Sequence, residues 1–280
     1  MNSTTKLNRA RRGFITAAAM MLAATAFMPK SALAVTPEEI KAKGKIVIGI
    51  QADNKPWGYV DTSGKADGID ADIGKLFAKE LGVEAEFVPL DVTSRIPALV
   101  AKKVDVLFAT MAMLPDRAKA VQYSKPYVAN AISLVAPKAT VVKTNEDMGK
   151  LVIGVPRGAT QDTQVTKNAP QGTEIRRFDG DSATIQALIS GQVDAVGGNI
   201  FYAKILNEAK PGTYEDKLEF TKIFNGACTR LGEKEINAAL NTFIDKIKDN
   251  GELKAIQEKW MGSSMLEFPD KVDGVPFVVQ

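Results

Sequence analysis

Arg117 and Arg157 each follow an apolar run that ends in a loop rich in hydroxyl groups and free main-chain donors. The run 104–109 leads to Thr110, and Leu114-Pro115-Asp116 then opens a short helix that carries Arg117. A strand end feeding a helix start leaves N–H groups without partners, and a guanidinium can grip a carboxylate through two parallel hydrogen bonds. Together they make a clamp for a small anion that needs no metal and no nucleophile. The run 151–155 leads in the same way to Pro156-Arg157-Gly158-Ala159-Thr160-Gln161, and the run 45–50 leads to a loop holding Asp53 and Trp57, the latter a candidate apolar wall. Blander roles fit the same spacing: an arginine in a surface ion pair, a tryptophan plugging a core edge, or a Gly-Ala-Thr helix cap.

Composition removes several kinds of chemistry. The chain has no histidine and a single cysteine, Cys228, so histidine-dependent triads, His-ligated zinc and an internal disulfide are excluded. No cofactor and no metal is expected. Residues 1–34 read as a cleavable export signal: a basic head at Arg9, Arg11 and Arg12, an apolar run 14–27 too short to span a bilayer, and the small-x-small end Ala32-Leu33-Ala34. Arg11-Arg12-Gly13-Phe14-Ile15 also resembles a twin-arginine signal, and both export routes stay open. The segment carries five cations and no acid, so its removal takes the formal charge from +3 to −2. The basicity therefore belongs to targeting, and a nucleic-acid role loses its compositional support.

The elements that must position these loops alternate. Strands are predicted at 45–50, 83–89 and 104–109, with helices at 69–81 and 95–102, followed by an extended segment at 132–136. A second unit restarts with strands at 151–155, 174–178 and 193–196, a helix starting from Gly158, and another at 182–190. Two amphipathic helices, 233–248 and 252–260, end the pattern around the stop signal Asp249-Asn250-Gly251. This is an α/β chain of mainly parallel sheets flanked by helices, with ligands expected at the carboxyl ends of the strands.

The ordered set Gly49-x-x-x-Asp53, Pro56-Trp57-Gly58, Gly68-Ile69-Asp70-Ala71-Asp72, Arg95-Ile96-Pro97-x-Leu99, Pro115-x-Arg117, Tyr123-Ser124-x-Pro126-Tyr127, Arg157-Gly158-x-x-Gln161-Asp162, Gly191-Gln192-Val193-Asp194-Ala195 and Lys259-Trp260 resembles the periplasmic solute-binding proteins of polar amino acid ABC transporters. The resemblance implies the two-lobed type II periplasmic binding fold, with two hinge strands joining lobe one (35–130 and 227–280) to lobe two (131–226). It implies a monomer that captures a small molecule by hinge closure and delivers it to membrane permease subunits.

For particular residues the resemblance implies that Arg117 holds an α-carboxylate, helped by N–H groups of Thr110, Met111 and Ala112 and by Thr160. Arg95 stands where some members hold a side-chain carboxylate. With Arg157 near, three cations favour glutamate or aspartate, and Asp53, Trp57, Ala159 and Gln161 complete the expected site. Asn199 occupies the place where many members put an acid against the ligand's ammonium, which Asp53 or Asp181 would have to replace. The resemblance also extends to periplasmic dehydratases acting on arogenate or prephenate, which need a catalytic acid, for which Asp53 and Asp162 are the nearest candidates. A ligand-sensing protein is the third reading.

Overall fold

A computed structural model describes residues 34–265 and 267–279. The expected export signal lies outside the described residues, apart from Ala34. In chain order the elements are α1 (Pro37–Lys43), β1 (Lys45–Gln51), β2 (Asp53–Asn54), β3 (Gly58–Val60), β4 (Ala66–Asp67), α2 (Ile69–Leu81), β5 (Glu84–Leu90), α3 (Arg95–Val100), β6 (Val106–Leu107) and α4 (Pro115–Ala118). There follow β7 (Gln122–Pro137), a 3-10 segment (Asn145–Lys150), β8 (Val152–Pro156), α5 (Thr160–Asn168), β9 (Glu174–Phe178), α6 (Asp181–Ile189), β10 (Ala195–Asn199), α7 (Tyr202–Ala209), β11 (Tyr214–Thr229), α8 (Lys234–Asp249) and α9 (Glu252–Met261).

Eight strands form one mixed sheet in the order β5-β1-β6-β11-β7-β10-β8-β9. At one end β5, β1 and β6 are parallel, and at the other β10, β8 and β9 are parallel. Between these triads run β7 and β11, each 16 residues long and antiparallel to one another, with register shifts along their length. The predicted 132–136 segment is thus the second half of a much longer strand. The division expected at 130 and 226 falls within both long strands, close to the pairs Asn130–Ile223 and Val128–Asn225.

The predicted strand 104–109 forms as a strand only at Val106–Leu107. Main-chain bonds to β1 continue from the Asp105 and Phe108 N–H groups to the Val47 and Gly49 carbonyls, and side chains add to them. The Asp105 carboxylate accepts the Val47 N–H at 2.8 Å, the Ala109 carbonyl accepts from Arg95 at 2.7 Å, and the Thr110 N–H turns to Asp70 at 2.6 Å. α2 forms where its apolar spacing predicts: Ile69, Ile73 and Phe77 are fully buried. Their cluster also takes in Ile236, Leu240, Phe243, Ile247, Leu253 and Ile256, so α8 and α9 return to the first triad. Asp72 fixes α9 there through Lys259 at 2.6 Å and the Trp260 indole N–H at 2.9 Å.

Candidate functional site

A polar cavity with an empty volume of about 310 Å³, part of it open to solvent, lies among the carboxyl ends of β1, β8 and β10, the loop after β6 and the middle of β7 and β11. Gln51 and Asn54 reach it from the β1 end, and Arg95 from α3. Ala159, Thr160 and Gln161 reach it from the start of α5, Asp181 from the start of α6, and Asn199 from the end of β10. Asn130, Ile132, Ile223 and Asn225 supply its floor from the two long strands. Among these lining residues Asp181 is the one carboxylate and Arg95 the one cation, set among six carboxamides.

Arg95 is buried, and its Nε and Nη1 atoms serve main-chain carbonyls. Nε donates to Val92 O at 3.0 Å, and Nη1 to Ala109 O at 2.7 Å and Thr110 O at 3.3 Å. Burial lowers its pKa to about 10, and the positive charge of Arg117 pushes the same way. Arg117 itself is half-buried and stands behind Arg95, outside the residues that line the cavity. Its Nη2 donates to Gly158 O at 3.4 Å, linking the α4 loop to the loop before α5, while Nη1 is buried with no partner among the described residues. The floor carries the same kind of unmet capacity at Asn130 Oδ1 and at both side-chain polar atoms of Asn225. Buried groups left unpaired cost about 1–3 kcal/mol each, so several around one cavity mark it as a place where polar groups of a ligand belong.

Asp70, rather than a ligand, takes up the donors expected at Thr110. The Thr110 N–H and hydroxyl both bond to Asp70 Oδ2, at 2.6 and 3.1 Å, and the Tyr127 hydroxyl donates to Oδ1 at 2.6 Å. These bonds hold Thr110 at a φ of 51°, a left-handed conformation that a side chain rarely adopts unaided. Burial raises the pKa of Asp70 to about 6 against the opposing pull of those donors.

The other expected residues divide. Thr110, Ala112, Ala159, Thr160, Gln161, Asn199 and Arg95 line the cavity. Met111 is buried in the apolar cluster beside β6 instead, and its carbonyl accepts the Gly226 N–H. Trp57 is fully buried and packs edge-on to Phe201 with ring centres 5.2 Å apart, so it plugs the core and forms no cavity wall. Arg157 is exposed. Its Nη2 donates to Arg177 O at 3.1 Å, and its Nε lies 4.0 Å from Asp179, away from the cavity. Asp53 bridges to α6: its carboxylate accepts the Ser182 N–H at 3.2 Å and its carbonyl accepts the Ser182 hydroxyl at 3.2 Å. Asp162, one of the acids weighed for catalysis, is held by Arg177 at 3.0 Å outside the cavity.

Asn130, Ile132, Ile223 and Asn225 stand in the middle of β7 and β11, away from the strand ends to which chain order points. The signal for the two asparagines is a carboxamide inside an apolar run, Tyr127-Val128-Ala129-Asn130 and Phe224-Asn225-Gly226-Ala227, where a strand interior has no ordinary use for one.

The sequence profile of the bacterial extracellular solute-binding proteins, family 3, matches residues 46–263. The chain belongs to that family. The L-cystine-binding protein TcyJ of Escherichia coli K12 is 26% identical over 230 residues, covering 81% of this chain and 86% of that protein. The ABC transporter glutamine-binding protein GlnH of Bacillus subtilis is 31% identical over 229 residues, covering 79% and 83%. Among solved structures, the ancestral amino acid-binding protein AncCDT-1, a precursor of cyclohexadienyl dehydratase, superposes with a TM-score of 0.74 at 31% identity, covering 80% of this chain and 98% of that one. In this solute-binding protein the two parallel triads are therefore the sheets of the two lobes of a type II fold, with β7 and β11 as its hinge strands.

Proposed function

We propose that this chain is the extracytoplasmic ligand-capturing component of an amino acid ABC importer, and that it holds one polar α-amino acid between its lobes. The lobe limits are those read from the sequence, 35–130 with 227–280 and 131–226. The observation that carries this reading is the cavity itself, walled from both lobes and floored by the hinge strands, with the unpartnered Asn130 Oδ1 and Asn225 amide on its floor. Arg117 grips the α-carboxylate, with the N–H groups at the start of α5 opposite it, and the floor amides meet the side chain. Glutamate or aspartate was expected from three cations around one cleft. With Arg157 turned outward, the positive charge reduces to Arg95 and Arg117, which suits one carboxylate, so a neutral polar side chain such as an amide is favoured.

A second reading has an observation of its own. Asp181 is a buried cavity carboxyl whose pKa is raised to about 7, mainly by burial, as a proton donor for a dehydratase would require. One experiment addresses both readings. Thermal shift across the common L-amino acids and cystine should single out a ligand that, at 100 times its dissociation constant, stabilises by roughly 2.7 kcal/mol. Small-angle scattering with that ligand should show a smaller radius of gyration. Conversion of prephenate or arogenate in the same samples would establish the enzyme instead.

A further inference from the structure

Asp181 stands at the first turn of α6 with its carboxylate on the cavity wall. It accepts from three neutral donors: Tyr202 OH at 2.5 Å, Gln51 Nε2 at 2.6 Å and Gln161 Nε2 at 3.3 Å. No lysine or arginine among the described residues forms an ion pair with it. Arg95 on α3 is the cation that acts on it from across the cavity, and the nearby Asp53 on β2 adds a second negative charge. Gln51 shows what fits in between. Its Nε2 donates to Asp181 while its Oε1 accepts from Arg95 Nη1 at 3.4 Å, so one carboxamide spans the gap between anion and cation. A cationic donor on a ligand can take the place of that amide N–H against Asp181. Asn199, at the position where an acid was looked for, is already engaged: its Nδ2 donates to Asn54 and its Oδ1 accepts the Phe201 N–H.

We infer that Asp181 is the counter-ion for the α-ammonium of the bound ligand and sets the preference of the site for amino acids over their deaminated analogues. This rests on the amino-acid reading of the cavity. Three neutral donors leave a buried carboxylate's charge uncompensated, and an ammonium against it supplies the missing half of the pair. The electrostatics follow from that geometry. Burial holds the carboxyl partly protonated near neutral pH, so an ammonium that favours the ionised form expels a proton as it binds. Affinity is then full above about pH 7 and falls as the pH drops through that value.

Titration calorimetry tests this with the tightest-binding common L-amino acid or cystine and with its des-amino analogue. For the wild type the amino acid should bind roughly tenfold or more weakly at pH 5.5 than at pH 7.5. Paired buffers of different ionisation heat at pH 7 should report a fraction of a proton released, and the des-amino analogue should show neither effect. Asp181→Asn should weaken the amino acid by roughly 30-fold or more, abolish its pH dependence and bring the ratio of amino acid to analogue towards one. A wild-type affinity that is flat with pH and releases no proton overturns the inference. So does an Asp181→Asn protein that binds within about threefold of wild type, including one that binds but has lost a turnover the wild type performs. Should that variant not fold, the wild-type pH profile decides alone. Failure of folded wild type to bind any of these amino acids overturns the amino-acid reading itself.

Discussion

Arg95 and Arg117 look interchangeable as positive charges near one cavity, yet their hydrogen bonds give them different work. Arg95 ties Val92, Ala109 and Thr110 together through their carbonyls, so its first duty is to the loop after β6. Arg117 makes one long bond to Gly158 and keeps a buried Nη1 in reserve. Arg117→Lys should therefore cost about 2–4 kcal/mol of ligand binding while leaving the melting temperature nearly unchanged, because lysine keeps the charge and loses the planar fork. Arg95→Lys should lower the melting temperature as well. Calorimetric affinity of Arg117→Lys within threefold of wild type would contradict the assignment. At this scale the sequence speaks unevenly. Thr160 and Gln161 follow from their place at a helix start, whereas Trp57 and Arg157 have the right spacing but the wrong direction, and a side chain's direction is set by packing that lies far away in sequence. From sequence Asp181 enters only as a substitute for the acid missing at 199, since a lone aspartate at a helix start is by itself an ordinary capping residue.

Between elements, β2 and α6 meet across the cleft through Asp53 and Ser182. Gly180 has an ordinary extended backbone, so a side chain there would carry no conformational strain. A Cβ at Gly180 would instead collide with the Asp53 carboxylate that receives the Ser182 N–H. The carboxylate can swing aside, but only by giving up that bond, and the closed form loses about 1–2 kcal/mol. Gly180→Ala should thus bind its ligand roughly 5- to 30-fold more weakly with unchanged stability, and Asp53→Ala in the same background should add little, because both remove one contact. Additive losses in a double-mutant cycle would show that the two residues act separately. The alternation of strands and helices was legible because burial on a sheet imposes its periodicity locally. The short β2-β3-β4 sheet, the length of β11 and the helix α7 were not, because long-range pairing decides them.

For the molecule as a whole, the cluster beneath α2 sets an order in time. It joins Ile40, Ile46, Ile48, Ile73 and Phe77 to Ile236, Leu240, Phe243, Ile244, Ile247, Leu253 and Ile256, so its partners are made by the ribosome first and nearly last. At about 1.5–3 kcal/mol for each buried side chain, the late contingent contributes roughly 10 kcal/mol or more, comparable to the entire ~5–15 kcal/mol by which a domain of this kind stays folded. The early part of a nascent chain consequently waits, with its apolar faces uncovered, until synthesis reaches α8 and α9. Ending the chain at residue 226 should leave that part unfolded, and it also removes Trp260, so Trp57 becomes the only tryptophan. Its emission should lie at the wavelength of an indole in water and move to the blue when a peptide of residues 227–280 is added. A truncated chain whose Trp57 is already shielded would mean that the first lobe does not depend on being completed from its far end.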